Sequence, residues 1–183
     1  MSRLLIFLVI GFLVSCNAPD NKSLYKEYIN SYVNKGFESI SNILADTILI
    51  KDIENYEVRY SKQDFRTYYQ WDSVFQPRYE IMKLTSTDST VNVTQSVSSL
   101  RFEFLGNNPL ITKQRIYFDN RKIKTIENLK YLNVDWEIWT SKRDSLINWI
   151  DSNHHELAGF IYDMTPNGAE KYIEAMRLYN NGL

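Results

Sequence analysis

The chain has 183 residues with 21 basic and 22 acidic side chains, a formal net charge of −1 and 14% aromatic residues. This balance gives no reason to expect nucleic acid or an anionic lipid surface as a partner, and the low content of Gly and Pro indicates a packed domain. The single cysteine, Cys16, rules out a disulfide within the chain. Two histidines, His154 and His155, cannot build a three-histidine zinc site, and neither supplies a general base in the first 150 residues.

The beginning of the chain has the pattern of a secretory leader. A basic start is followed by the apolar run Leu4–Val14, which is too short to span a bilayer. The segment Leu13–Cys16 resembles the bacterial lipobox, in which the cysteine thiol receives a diacylglyceryl group, the leader is cleaved before it, and the new amine takes a fatty acyl group such as palmitate. We expect a signal peptide at 1–15 and a lipidated tether at 16–22. The alternatives are an ordinary secretory signal and an uncleaved anchor.

The residues after the cysteine bear on which membrane holds the protein. They are Asn17 and Ala18, without the aspartate at the second position that retains enterobacterial lipoproteins at the inner membrane. The resemblance therefore implies a protein of the bacterial cell envelope, anchored by lipid at Cys16, with the outer membrane as the better expectation.

Helical spacing of apolar residues begins at Leu24, where Ser23 is a candidate N-cap and Gly36 a candidate end of the helix. A second short helix is predicted over 37–44. Two short strands should follow, at 47–51 and 56–60.

A third helix is predicted from a capping box. Ser61 stands three residues before Asp64, with aspartate in place of the usual Glu or Gln, and Pro77 ends the segment.

The middle of the chain changes to strand patterns. Val91, Val93, Gln95 and Val97 alternate with polar residues, which predicts a half-buried strand. The segment 79–85 alternates irregularly, so we expect a bulge or burial on both faces. Strands over 110–118 and 121–128 flank Asp119-Asn120, a hairpin turn signal.

Helices return after residue 131. Trp136, Trp139, Leu146 and Ile150 have helical spacing, and the segments 157–164 and 169–176 continue it. A cluster of Trp136, Trp139 and Trp149 is expected to dock this tail onto the sheet or the pocket mouth, rather than to stack on sugars.

The stretch Tyr28–Asp46 resembles the opening of the SnoaL-like branch of the nuclear transport factor 2-like superfamily: a long helix, an Asn-Lys-Gly break, a short helix and an Ala-Asp exit. Residues 61–75 fit the third helix of that fold, and Ile116–Ile123 its penultimate hairpin, with Asn120-Arg121 where the family usually has glycine. The resemblance implies an α+β fold: a cone of curved antiparallel sheet packed on N-terminal helices, here 23–131, with 132–183 as a helical extension packed on the same domain.

Enzymes of this superfamily use a pocket carboxylate, helped by a Tyr, His or Arg. Candidates on predicted strands are Glu80 and Glu103, although alternating charge beside Arg101 is more typical of a solvated face. The residues expected to line a ligand pocket are Tyr68, Tyr69, Trp71 and Arg115.

The sequence predicts no cofactor and no metal site, because two adjacent histidines on a helix point about 100° apart. Asn153 as an N-cap, with the histidines on the surface, is the simpler interpretation. The functional expectation is a ligand- or partner-binding domain without catalysis, which takes a small apolar ligand in its pocket or forms a homodimer through the sheet face. The alternative is an isomerase, cyclase or hydrolase that uses Glu80 or Glu103 as base.

Overall fold

A computed structural model describes residues 20–53 and 56–182. The predicted leader and Cys16 lie outside the described residues. The helices are α1 (Asn21–Asn30), continued by a π-helical turn (Ser31–Lys35), α2 (Phe37–Ser41), α3 (Lys62–Ser73), α4 (Leu100–Phe104), α5 (Trp136–Asn153) and α6 (Pro166–Gly182). The strands are β1 (Leu44–Lys51), β2 (Glu57–Ser61), β3 (Arg78–Ser86), β4 (Thr90–Ser98), β5 (Leu110–Asp119) and β6 (Lys122–Tyr131).

The strands form one sheet in the order β2-β1-β6-β5-β4-β3. Every neighbouring pair is antiparallel except β1 and β6, which run parallel. The predicted sheet is wholly antiparallel, whereas the observed sheet is mixed. Register shifts occur in β3 between Ile81 and Lys83 and twice along the β5–β6 pair. Such bulges bend a strand. The expected irregularity of β3 is confirmed.

Local sequence signals account for several boundaries. The Ser61–Asp64 capping box opens α3 as predicted. The helix α1 begins before the expected Ser23, because Asp20 is the N-cap and its carboxylate accepts from the Ser23 backbone N–H at 2.7 Å. In the β5–β6 hairpin the two turn residues are Asn120 and Arg121, both with positive φ, which matches the right-handed twist of the strands.

The cone is built by packing α1 and α3 against one face of the sheet. Aromatic and branched residues of both helices meet the valines and isoleucines of that face in the main core: Tyr25, Tyr28, Ile29, Tyr32, Phe65, Val91, Val93, Ile116, Ile123 and Ile126. The predicted α+β architecture is confirmed.

The C-terminal helices form a second core on the other side of α3. Trp71 of that helix and Phe75, which lies just after its end, pack against Leu146 and Ile150 of α5 and against residues of α6, mainly Tyr172. Most of the tail therefore docks on α3 and Phe75 rather than on the sheet. The expected contact with the sheet is made by the start of α5, where Trp139 packs with Val97 and Leu110 and Trp136 packs on Tyr131. The predicted helix over 157–164 consists of two single 3₁₀ turns, His155–Leu157 and Phe160–Tyr162.

The three tail tryptophans do not form one cluster. Trp136 and Trp139 are in edge contact at 5.8 Å between ring centroids, and Trp139 also packs on Phe102. Trp149 packs on Tyr179 of α6 instead. Among residues 20–53 and 56–182, none of the helices has the length and hydropathy needed to cross a membrane.

Candidate functional site

A cavity of about 110 Å³ lies inside the cone, between α1, α3 and the inner face of the sheet. Its lining is aromatic, aliphatic and amide-bearing: Tyr25, Tyr28, Ile29, Tyr32, Ile50, Phe65, Tyr68, Tyr79, Gln95, Gln114, Ile116, Ile126 and Asn128. An engineered apolar cavity of about 150 Å³ is enough to bind benzene. At about 110 Å³ the cavity is somewhat smaller than that site, so a small ring needs a slight outward shift of the wall in order to fit.

A chain of side-chain hydrogen bonds crosses the sheet along the wall of this cavity. The Tyr25 hydroxyl donates to Oε1 of Gln95 at 2.6 Å, and Gln95 Nε2 donates to Oε1 of Gln114 at 3.0 Å. Gln114 Nε2 then donates to Oδ1 of Asn128 at 2.7 Å. Three neighbouring strands thus contribute one amide each, and the amides hold one another in fixed orientations.

The chain ends on a carboxylate at the edge of the cone. The Tyr131 hydroxyl lies 3.0 Å from both Oδ1 and Oδ2 of Asp52, and Asn128 Nδ2 donates to Asp52 Oδ1 at 3.4 Å. An ionised carboxylate only accepts, so Asp52 sets the direction of every donor in the chain. Each amide NH₂ carries two hydrogens, which leaves one N–H on Gln95 and one on Gln114 beside the cavity.

Three cavity tyrosines keep free hydroxyl groups. Within the described part of the chain, the hydroxyls of Tyr28, Tyr68 and Tyr79 make no hydrogen bond, and burial raises the pKa of each. The hydroxyls therefore stay neutral. The wall offers O–H and N–H donors within an otherwise apolar space.

Asp72 of α3 is a buried carboxyl that lies behind this wall. It accepts from the Tyr32 hydroxyl at 3.0 Å, and burial raises its pKa, although the charge of Arg101 opposes that rise. The Arg101 guanidinium stacks over the Trp71 ring, 4.7 Å from its centroid, and its buried Nε has no hydrogen-bond partner in the described residues. Asp72 reaches the cavity through Tyr32 rather than directly.

A second, more open pocket of about 350 Å³ lies at the Asp52 end of the chain. It is lined by Asp52, Ile53, Tyr131 and Trp136. The rings of Tyr131 and Trp136 stand nearly perpendicular, at 88°, with centroids 5.4 Å apart. We call this site the mouth pocket.

One of the four predicted pocket residues lines the cavity. This is Tyr68. Tyr69 packs edge-on against Tyr32 at 4.9 Å, behind the cavity wall, and Trp71 belongs to the second core. Arg115 was wrongly placed: side chains alternate along β5, so it lies on the face opposite Ile116, where its Nε donates to Asn92.

Neither predicted carboxylate enters the cavity. Glu80 is exposed on β3, next to the inward-facing Tyr79. Glu103 does not lie on a strand at all, because Ser99 caps a short helix by accepting from the Phe102 backbone N–H at 3.2 Å. Among the described residues that line the cavity, none is a carboxylate, a histidine or a cation.

The amides of Gln95, Gln114 and Asn128 and the carboxylate of Asp52 were not among the predicted site residues. Gln95 does have a signal, because it falls in phase with Val91, Val93 and Val97 on the buried face of β4. No sequence signal marks Asp52 as a site residue, since an acidic residue just after a strand is common.

The histidines lie at the surface end of α5. Asn153 is the last residue of that helix and not an N-cap as proposed, and His154 Nδ1 lies 3.1 Å from Glu156 Oε1. In residues 20–53 and 56–182, no group of three or more His, Cys, Asp or Glu side chains is arranged to hold a metal ion.

Comparison with known proteins rests on structure. No protein-family model matches the sequence, and no curated protein is similar to it at a significant level. A proposed ketosteroid isomerase from Kribbella flavida superposes with a TM-score of 0.52 at 9% identity, covering 63% of this chain and 79% of that one.

Two further solved structures are similar in the same region. An NTF2-like protein of unknown function from Cytophaga hutchinsonii gives a TM-score of 0.50 at 8% identity, covering 63% of this chain and 94% of that one. A proposed hydroxylase from Streptomyces galilaeus gives 0.50 at 16% identity, covering 67% and 85%. With the cone and its sheet order, these likenesses show that the chain has the nuclear transport factor 2-like fold that its sequence resembles.

Proposed function

We propose that this protein is a lipoprotein of the bacterial cell envelope, held by lipid at Cys16, whose domain binds a small molecule inside the cone. The lipobox-like segment Leu13–Cys16 supports the anchor, and Asn17-Ala18 favours the outer membrane. Only residues 17–20 separate the lipidated Cys16 from α1, since the last two residues of the predicted tether are already helical. The bound molecule is therefore taken up close to the membrane surface.

The observation that carries the binding function is the cavity with its amide chain. Most of its wall is aromatic or aliphatic, so the transfer of a small apolar ring from water into the cavity is favourable in free energy. The spare N–H groups of Gln95 and Gln114 and the free tyrosine hydroxyls then pair with an acceptor on that ring. A small apolar or aromatic ligand with one polar group fits this wall best.

The lining also supports binding without catalysis. Two of the similar structures are described as an isomerase and a hydroxylase, yet the wall here lacks the carboxylate or histidine that general acid–base chemistry uses. Burial raises the pKa values of Tyr28 and Tyr79, so their hydroxyls stay protonated and do not form the phenolate that could act as a base.

The anchor is tested by membrane partitioning. Each buried methylene contributes about 0.8 kcal/mol and one chain anchors only marginally, so a multiply acylated protein should stay with the detergent phase. Cys16→Ala should move to the aqueous phase, whereas Ser15→Ala should remain lipidated. An unchanged distribution of Cys16→Ala would refute the anchor.

The cavity is tested with phenol and benzene as probes, by their effect on the melting temperature. Both should stabilise the protein, and phenol should bind more tightly because its hydroxyl meets the amide groups. Ile50→Phe places a larger side chain in the cavity and should weaken phenol binding at least about tenfold, whereas Ile50→Val should not. Equal stabilisation of all three proteins would contradict an interior site.

Asp52 favours one alternative, an enzyme with a carboxylate base. Its carboxylate accepts a hydrogen bond from Asn128, which lines the cavity. A substrate that displaced this amide would contact the carboxylate directly. Exchange of the α-protons of a small cyclic ketone in D₂O, followed by NMR, tests this function. Exchange that is faster than in buffer and is lost in Asp52→Asn would establish it. No acceleration would leave the binding function.

We also propose a homodimer through the outer sheet face, where Met82 and Leu129 are exposed. Sedimentation equilibrium of wild type and Leu129→Lys tests this contact. A wild-type monomer at all concentrations would contradict it.

A further inference from the structure

We propose that the mouth pocket is a binding site for an organic cation of the quaternary ammonium type. The pocket brings a carboxylate, Asp52, together with the rings of Tyr131 and Trp136 in a space of about 350 Å³. Among the described residues, this pocket and the interior cavity share no lining residue, although the Asp52–Asn128 hydrogen bond joins them. The proposal does not depend on what the cavity binds.

The first argument is the charge of Asp52. Its oxygens accept from the Tyr131 hydroxyl at 3.0 Å and from the Ile53 backbone N–H at 2.8 Å. These donors are neutral, so they orient the carboxylate without cancelling its charge. In the described part of the chain, no Lys, Arg or His nitrogen lies within ion-pair distance of Asp52.

The second argument is the arrangement of the aromatic rings. An aromatic face carries negative quadrupole charge and attracts a cation within about 6 Å of the centroid. Tyr131 and Trp136 are nearly perpendicular, so they form two adjacent walls of a corner rather than a flat stack. A rounded cation in that corner contacts both rings.

The third argument is the exposure of Trp136. More than half of this large side chain, 52%, is accessible to solvent, whereas Leu146 and Ile150 of the same helix are fully buried. Ile53, at 41%, adds an exposed apolar surface on the same pocket. A methylated ammonium group has an apolar shell around its charge, so it suits this combination better than a metal ion, which requires several oxygen ligands.

Two neighbouring groups affect a cation at this site in opposite ways. Burial and the charge of Asp52 raise the pKa of Tyr131, which therefore remains a donor and adds no competing charge. The positive charge of Arg101 acts on Tyr131 and opposes a cation, but its guanidinium does not line the pocket and is stacked over the Trp71 ring.

The test is a titration with choline, followed by calorimetry and by the NMR signal of the Trp136 indole N–H. The uncharged isostere 3,3-dimethylbutan-1-ol serves as the matched control ligand, in a buffer of constant ionic strength. We expect choline to bind in the range of roughly 1 mM and the isostere at least about tenfold more weakly. Equal binding of the two, or no binding of choline, overturns the proposal.

Variants assign the binding to the pocket. Asp52→Asn should weaken choline binding at least about tenfold, and Trp136→Leu roughly three- to tenfold. Asp119→Asn and Tyr162→Leu, which remove an exposed carboxylate and an exposed ring elsewhere, should have no effect. Circular dichroism checks that each variant is folded, and Trp136→Phe, which keeps an aromatic face, should retain most of the affinity.

The same variants separate this site from the cavity. Choline binding should be unchanged in Ile50→Phe, and phenol binding unchanged in Trp136→Leu. Choline binding that persists in both Asp52→Asn and Trp136→Leu would overturn the site.

Discussion

Replacing Leu146 by alanine tests whether the C-terminal helices are part of one cooperative domain. Leu146 is fully buried in the second core, where α5 and α6 meet Trp71 of α3 and Phe75, which follows that helix. The helix α3 also contributes Phe65 to the core of the cone. A loss of packing at Leu146 should therefore reach the whole domain through α3.

The magnitude follows from the packing. A buried Leu→Ala change lowers the free energy of unfolding by about 2–5 kcal/mol. The cavity it leaves here is surrounded by rigid aromatic rings and cannot collapse well, so we expect a loss of about 3–4 kcal/mol. A domain of this size has about 5–15 kcal/mol of stability in total. The melting temperature should fall by roughly 10 °C.

The assay combines urea unfolding with amide hydrogen exchange. Tryptophan fluorescence reports mainly on α3 and α5, while the amides of Val93 and Ile116 report on the sheet. Both signals should show the same loss of stability. Leu132→Ala is the matched control because that side chain is 41% exposed, and it should cost less than about 1 kcal/mol. A shift in fluorescence with unchanged exchange in the sheet would refute the one-domain reasoning.

Three further substitutions test local features. Burial raises the pKa of Asp72, so the folded protein holds this proton to a higher pH than the unfolded chain does. The stabilisation is complete below the unfolded pKa of about 3.9 and is lost as pH rises through the folded pKa, so Asp72→Asn should gain stability relative to wild type across that window. Urea unfolding at several pH values checks this, and a constant difference would contradict it. Arg121→Gly relieves a positive φ in the β5–β6 turn and should add about 0.5–1 kcal/mol by the same assay, with no gain as the contrary result. Trp139→Ala should cost about 1–3 kcal/mol rather than the 3–5 kcal/mol of full burial, because the ring is only half-buried against Phe102; a larger loss would mean that the ring is fully enclosed.

Local patterns predicted much of the fold. The alternation in β4, the capping box at Ser61 and the Asp119-Asn120 turn signal each depend on neighbouring residues. The first two have the predicted result, and the hairpin forms with its turn one residue later, at Asn120-Arg121. The parallel pairing of β1 with β6 could not be predicted in this way, because it joins segments about 75 residues apart and depends on how the whole cone closes.

The site was less predictable because it is made of ordinary polar residues from distant segments. Gln95, Gln114 and Asn128 form a hydrogen-bonded chain only when three strands align them. Helical geometry could have separated the tryptophans, since 13 residues place Trp149 about 220° around α5 from Trp136. Arg101 and Glu103 were misplaced because their alternation is also compatible with a short helix capped by Ser99.

The most direct test of the proposed function is the position of bound phenol, determined from intermolecular nuclear Overhauser effects. The account predicts contacts from the phenol ring to the methyl groups of Ile116 and Ile126, which face the interior cavity. Contacts to surface groups such as Met82 or Met164 instead, or no contacts at saturating phenol, would contradict an interior binding site.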